Sequence, residues 1–312
     1  RELHKKTDSA LDILLDRYKE QSPDSFSFYF HLPFCTTSPY NGVERSCVMC
    51  DYYKVEDGDT KQLDEYVTAV LRELDIIQEF VSGKFNTLSL GFGGGTPTRL
   101  SDVQLENLLS GIHERIRVNE GAEVTIEATP ESVNLERLVR LRNMGFNRVS
   151  IGVQTFDDAT LQLLNRRHTS AQGYQALVDL HKAGFDKTCA DLMYGLPSQT
   201  IDSWIKDIEQ IVSVHPWSVS MYRLRMPSNH FLLQENQAPT REQVNYMYVF
   251  ARLFFLDRGY LQVAGNQFIT DYERGMCLHK ENRDRHLNTV GIGASSHSFI
   301  REIFYHNYRT VP

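Results

Sequence analysis

The sequence predicts an α/β fold: a partial (β/α)6 barrel, or open parallel sheet, with an appended C-terminal cap. Three observations predict it. Short apolar runs alternate with segments of helical period along most of the 312 residues. A helix end, a Gly–aromatic pair and a strand recur as a unit: Gly145 and Phe146 before 148–153, Gly184 and Phe185 before 188–194, and more weakly Gly259 and Tyr260. Six strand–helix units are countable before the pattern changes, too few for an eight-unit barrel. Strands alternating with helices at this spacing pair in parallel through right-handed crossovers.

Each element has its own warrant. Residues 1–24 are assigned to an N-terminal helical extension, 25–259 to the barrel and 260–312 to the cap. The run 26–32 (FSFYFHL) is rich in aromatics and reads as the first strand. A long loop with three cysteines follows, carrying Pro39 and the turn pair Asn41 and Gly42. Helical spacing through Tyr66, Val70, Leu74 and Ile77 marks a helix over 61–81. The second strand, 87–92, ends in Gly93, Gly94, Gly95, Thr96 and Pro97. A helix over 101–117 has Ser101 as N-cap and Asp102 in its first turn, where the helix dipole favours an acid. Strand 123–128 and helix 134–144 come next, then the repeated units. A glycine takes the left-handed position that closes each helix, and the next apolar residue seals the turn. Strand 218–225 and a helix over 243–257 complete the series. Beyond Tyr260 come short, glycine-punctuated stretches ending at 290–299 (VGIGASSHSF), with no low-complexity linker, so a single compact unit is expected.

Composition narrows the function. The formal charge is −7, from 33 basic and 40 acidic residues, which speaks against a non-specific nucleic-acid binder. No apolar run approaches the roughly 20 residues of a membrane helix; 248–256 is short and holds Arg252, so no membrane partner is expected. The charged amino end is not signal-like, and the absence of an initiating Met implies trimming. Five cysteines, an odd number, do not make a disulfide scaffold. Cys35, Cys47 and Cys50 fall within sixteen residues and read as a metal or iron–sulfur site in a reducing, cytoplasmic compartment.

Ligands of parallel α/β structures collect at the carboxyl ends of the strands. Those ends carry, in order, the three cysteines, the glycine run, Glu127, Gln154 and Asp191. Three thiolates suit three irons of a 4Fe–4S cluster and leave one iron open. A structural zinc held by the same cysteines and a histidine such as His31 is the other reading, and the cysteines alone leave both open. The glycine run is either a tight turn or a strand edge stripped so that backbone can touch a ligand. It is not a phosphate loop, because the Lys–Ser/Thr pair is missing.

Several strings decide among these readings: YFHLPFC at 29–35, GGGTPT at 93–98, EATP at 127–130, GVQTF at 152–156, NRRHT at 165–169, DLMYGLP at 191–197 and GIGASSHS at 291–298. In this order, across nearly the whole chain, they closely resemble the radical S-adenosylmethionine (SAM) enzymes. The resemblance is to the branch of oxygen-independent coproporphyrinogen III oxidase (HemN) and its relatives, the heme chaperone HemW among them. It implies a radical SAM barrel in which Cys35, Cys47 and Cys50 bind a 4Fe–4S cluster and SAM chelates the open iron. It implies that Gly93, Gly94, Gly95 and Thr96 line the SAM amino group. Glu127, Gln154, Arg166 and Asp191 would hold the SAM carboxylate or ribose, and Tyr29 would lie beside the sulfonium. Carboxylates suit hydroxyls and an ammonium, and a guanidinium suits a carboxylate. Cys189 and Cys277 match no ligand position and are expected to be bystanders.

Departures from the family pattern bear on the substrate. Eleven residues separate Cys35 from Cys47 where three are usual, so Thr36–Ser46 is an insert. Met49 replaces the usual aromatic before the third cysteine, and the extra cysteine of the porphyrinogen oxidase is absent after Cys50. The heme-associated string of the chaperone branch reads His279, Lys280, Glu281, Asn282, Arg283, Asp284, without its Tyr-Trp pair. The preferred expectation is a radical SAM enzyme that abstracts hydrogen from a small-molecule substrate through a 5′-deoxyadenosyl radical. Such a specialised biosynthetic enzyme would be reduced by flavodoxin or ferredoxin, and C-methylation or cyclopropanation with a second SAM is included. The alternatives are a heme-binding protein using His279 or His286, a coproporphyrinogen III dehydrogenase-type enzyme, and a zinc-stapled barrel.

Overall fold

Alternation along one strand sets the two faces of the sheet. In Ser25–Leu32 (β1), Phe26, Phe28, Phe30 and Leu32 are buried in the main core with the helices, while Ser27, Tyr29 and His31 point to the opposite face. The computed structural model describes residues 25–81, 86–185, 187–227, 229–235, 238–280, 288–300 and 303–310. The expected N-terminal extension, His286 and 282–284 lie outside the described residues.

Parallel strands Asn86–Gly94 (β2), Val118–Ala128 (β3), Arg148–Gln154 (β4), Lys187–Tyr194 (β5) and Ser218–Arg223 (β6) follow β1 in spatial order. Helices Thr60–Val81 (α1), Asp102–Arg115 (α2), Leu135–Asn143 (α3), Asp158–Leu163 (α4), Ser170–Lys182 (α5) and Ile201–Val214 (α6) form the crossovers. Phe231–Glu235 (α7) and Arg241–Asp257 (α8) come after β6. Ser101 caps α2 in a reciprocal capping box with Gln104, and Gly145 and Gly184 take left-handed φ of 108° and 76°. The six parallel strands are the expected partial barrel.

The cap differs from expectation: it continues the sheet on both edges. Gln267–Ile269 (β8) pairs antiparallel with β6, and Leu261–Ala264 (β7) pairs antiparallel with β8 outside it. Thr289–Ile292 (β9) lies parallel to β1 on the other edge, followed antiparallel by His297–Ile300 (β10) and Ile303–His306 (β11). The order β7-β8-β6-β5-β4-β3-β2-β1-β9-β10-β11 covers edges that would otherwise expose unpaired backbone. From α1, Tyr66 donates to the His31 carbonyl (2.8 Å) and accepts from the Ala294 amide (2.8 Å). Glu73 accepts from the Gly293 amide (2.9 Å) and from Asn307 (2.6 Å), which pins the returning chain to β1.

The inner face of the barrel is polar rather than filled by branched apolar layers. Glu123 and Arg148 are fully buried there, 4.0 Å apart, with Lys187 3.3 Å from Glu123. Cap residues enter this space: the Leu278 amide donates to Glu123 (2.9 Å) and the His279 ring stacks on Tyr29 with centroids 5.1 Å apart. Buried charge demands such partners. No helix among the described residues is long and apolar enough to cross a membrane.

Asp207 on α6 fixes the loop after β4, accepting from the Phe156 amide (2.6 Å) and the Thr155 hydroxyl (2.8 Å). Burial pushes its carboxyl up to about 7. The folded chain therefore keeps a proton that the unfolded chain releases near pH 4, so this contribution to stability is present below pH 4 and is lost as pH rises towards 7. Asp207→Asn should remove that dependence. In urea unfolding, wild type should fall relative to the variant by roughly 2–4 kcal/mol between pH 4.5 and 7.5. A gap that does not change with pH would contradict the assignment.

Candidate metal and cofactor site

The cysteine segment is a folded structure, not the expected open loop. Phe34–Cys35 pairs in parallel with Val55–Glu56, and Ser38–Tyr40 pairs antiparallel with Val43–Arg45. Asn41 (φ 49°) and Gly42 (φ 77°) make the two-residue turn between them, both left-handed as a primed hairpin turn requires. The insert Thr36–Ser46 is thus a hairpin. Its ends are tied: Thr37 binds Asp57, and the Ser46 amide and hydroxyl donate to Glu56 at 2.9 and 2.6 Å. Lengthening the spacing from three residues to eleven adds about 1 kcal/mol of closure entropy, and these ties offset it.

The three thiols are half-buried and near enough to sense one another's charge. Burial pushes the Cys35 thiol up to about 12, with Cys47 and Cys50 adding to the rise, while the Thr96 hydroxyl opposes it. Burial also pushes Cys50 up. Lys54 donates to the carbonyls of Cys47 (3.1 Å) and Cys50 (3.3 Å), and the Cys50 amide donates to Cys47 (3.4 Å). Among the described residues, no three His, Cys, Asp or Glu side chains lie close enough to share one metal ion. His31, the zinc partner considered above, instead donates through Nε2 to the Tyr53 carbonyl (3.2 Å).

The glycine run divides by what surrounds each position. A Cβ on Gly95 would lie 2.6–2.7 Å from the backbone of Pro33 and Phe34, and one on Gly94 2.7 Å from the His31 ring. The Gly95 and Thr96 amides donate to Leu32 and Phe34 (2.9 Å each). Those positions shape the entry to Cys35, and Thr96 serves the Cys35 thiol. Gly93 differs: a Cβ there would lie 2.5 Å from the Tyr29 hydroxyl and 2.6 Å from the Glu127 carboxylate. The Tyr29 hydroxyl and the Glu127 carboxylate therefore converge over Gly93, where a side chain would have no room.

After β4 the chain supplies the cationic side. Gln154 ends the strand with a left-handed φ of 70°, a conformation costly for a non-glycine residue. Its amide folds back over Gly152, where a Cβ would meet Gln154 Nε2 at 2.8 Å and Arg166 Nη2 at 3.7 Å. Arg166 donates to the Gly152 carbonyl (2.7 Å) and to Cys47 Sγ (3.3 Å), and its Nε is buried with no hydrogen-bond partner among the described residues. Asp191 accepts from the Ser150 hydroxyl (2.8 Å), and burial pushes its carboxyl up against that bond. Cys189 lies 3.5 Å from Ser220 and from Asp191, and burial pushes Cys277 up to about 12. Both of these thiols lie away from the three-cysteine segment.

Sequence reasoning missed three residues here. Glu131 lies 3.5 Å from His168; burial raises its carboxyl, but His168 and the Arg166 charge outweigh burial and hold it at about 2. Lys54 and Asn165 hold the cysteine segment through main-chain carbonyls. The NRRHT string was the available signal for Asn165 and His168. A cleft of about 450 Å³ opens between the hairpin and this string, lined by Tyr40, Asn41, Gln162, Asn165, Arg166 and Arg167 among others.

The donor set fits the groups expected from the sequence. Three soft thiols set apart from one another suit the corners of a multi-iron cluster, and the Gly93 wall and the Arg166 nitrogen suit an amino acid's backbone groups. A profile of the radical SAM superfamily matches residues 37–211. The heme chaperone HemW of Lactococcus lactis subsp. lactis is 30% identical over 293 residues, covering 92% of this chain and 72% of its own. The oxygen-independent coproporphyrinogen III oxidase of Escherichia coli K12 is 27% identical over 307 residues, covering 94% of this chain and 65% of its own. The solved structure of coproporphyrinogen III oxidase (HemN) from Escherichia coli shares the fold with a TM-score of 0.81, at 24% identity, over 95% of this chain and 70% of its own.

The two glycines should separate experimentally. Gly95→Ala meets backbone and should cost about 2 kcal/mol or more of unfolding free energy. Gly93→Ala meets only the tips of two side chains and should cost less than half as much. Equal losses in urea unfolding would contradict the division.

Proposed function

The chain belongs to the radical SAM superfamily, in its HemN/HemW-like branch, and from that premise we propose that it is an enzyme that abstracts hydrogen from a small-molecule substrate. The observation that carries the reading is the guanidinium of Arg166 set against the Cys47 sulfur, with an Nε–H that has no partner among the described residues. When bound, a 4Fe–4S cluster and SAM supply a one-electron reductive cleavage and a hydrogen-abstracting radical. The electron comes from a small reduced flavin or iron–sulfur protein.

Cys35, Cys47 and Cys50 hold the cluster in this reading, with Lys54 fixing the turn between the last two. Arg166 takes the SAM carboxylate, using the Nε–H that lacks a partner. The Glu131 carboxylate adds a compensating negative charge near Arg166, after that of Cys47. Gly93 presents backbone to the amino group while Glu127, Gln154 and Asp191 accept from the amino and ribose hydroxyl groups. Tyr29, held by the His279 ring, flanks the sulfonium. Gly94, Gly95 and Thr96 act indirectly, through His31 and Cys35. Methyl transfer or cyclopropanation with a second SAM has no support among the relatives and is not part of the proposal.

Heme carriage is the second reading, favoured by the likeness to HemW. His279 serves it poorly, being buried against Tyr29. A heme titration separates the two, since carriage requires a Soret shift and the enzyme reading expects none.

Anaerobic reconstitution with iron and sulfide, followed by dithionite and SAM, should yield 5′-deoxyadenosine and methionine. Cys47→Ala should abolish the product. Arg166→Ala should raise the KM for SAM about tenfold or more, the worth of a lost charge-assisted pair. Reconstituted wild type that forms no 5′-deoxyadenosine would contradict the proposal.

A further inference from the structure

Three consecutive residues after α4 grip four consecutive residues around the second cysteine. The Leu164 carbonyl accepts from the Val48 amide (3.2 Å), and Asn165 Nδ2 donates to the carbonyls of Arg45 (2.7 Å) and Ser46 (3.3 Å). Arg166 donates to Cys47 Sγ (3.3 Å). We infer that Asn165 is a positioning residue for Cys47, acting as the latch that holds the inserted hairpin in register; this rests on Cys47 being a cluster ligand.

The amide is used on both sides. Its Oδ1 accepts from the Ser38 hydroxyl (3.1 Å), and Nδ2 also reaches the Ser38 carbonyl (3.4 Å), so one buried side chain spans both arms of the hairpin. Ser38 stands on the outgoing arm and Arg45 on the returning one. The other ties of the insert, Thr37 to Asp57 and Ser46 to Glu56, anchor it to the strand that follows the cysteines. Asn165 joins both arms by hydrogen bonds to the string that carries Arg166, while Phe231 of α7 touches both arms through its ring alone. A short loop between the first two cysteines would need no such latch. With eleven residues, the span can reach many positions for Cys47, and the latch selects one.

Asn165 has a second, purely local role that must be separated from this one. It takes φ 55° at the end of α4, its amide donates to Gln162 (3.0 Å), and the Arg166 amide donates to Leu161 (2.8 Å). That is a left-handed helix closure, which glycine serves equally well. Asn165→Gly keeps the closure and removes the latch.

The test uses Asn165→Gly and Asn165→Asp, the second placing an acceptor where three carbonyls face a donor. In cluster-free protein, maleimide labelling resolved by peptide mass should rise about tenfold at Cys47, with Cys35 unchanged and the melting temperature near wild type. In reconstituted protein, iron should pass to a chelator about tenfold faster than from wild type. Labelling of Cys47 at the wild-type rate, or an equal rise at all three thiols, would overturn the inference. Wild-type protein that retains no iron would instead count against the cluster reading, with the labelling pattern still reporting on the latch.

Discussion

The Arg166 guanidinium is a full positive charge, half-buried between the Cys47 sulfur and the Gly152 carbonyl, and the barrel mouth is organised around it. Such a charge requires anionic or strongly polar neighbours on every side. Glu131 supplies one from the loop after β3, where His168 and the Arg166 charge together outweigh the carboxylate's burial. The thiol of Cys47 supplies a second, and the unpaired Nε leaves room for a third. Strand β4, the glycine-bare position 152 and the cysteine hairpin are thereby tied to one point. Moving Arg166 would unsettle all of them.

The interior below the mouth is polar, where eight-unit barrels are filled by layers of branched side chains. Here the inward positions carry Ser27, Ser89, Glu123, Arg148 and Asp191, and a segment of the cap closes the far side through Leu278 and His279. The cap strands add to both edges of the sheet, so closure and edge protection come from the same stretch of chain. Tyr29 links the two levels, with its ring against His279 and its hydroxyl toward Gly93.

Local features were legible in the sequence because their causes are local. Alternation in β1, the Ser101 cap and the left-handed closures at Gly145 and Gly184 each depend on a few neighbouring residues. The turn at Asn41 and Gly42 was legible too, yet the hairpin around it was not, since its holding contacts come from Asp57 and from Asn165, well over a hundred residues beyond. Glu131 was missed for the same reason: its partners stand in the next unit, and an acid after a proline in a loop carries no signal of its own. The edges that the cap strands join were not legible, because short strands do not state which edge they pair with. Motif order along the chain identified the branch, while the division of labour within the glycine run became visible only once the Pro33–Phe34 backbone was found beside Gly95.

The central claim is that these three thiols leave one iron open for SAM. Low-temperature electron paramagnetic resonance of the reduced, reconstituted protein tests it most directly, with and without SAM. The expected result is an S = 1/2 iron–sulfur signal whose g-values shift when SAM is added, and whose shift is lost in Arg166→Ala at the same SAM concentration. A signal that SAM leaves unchanged in wild type would contradict the account.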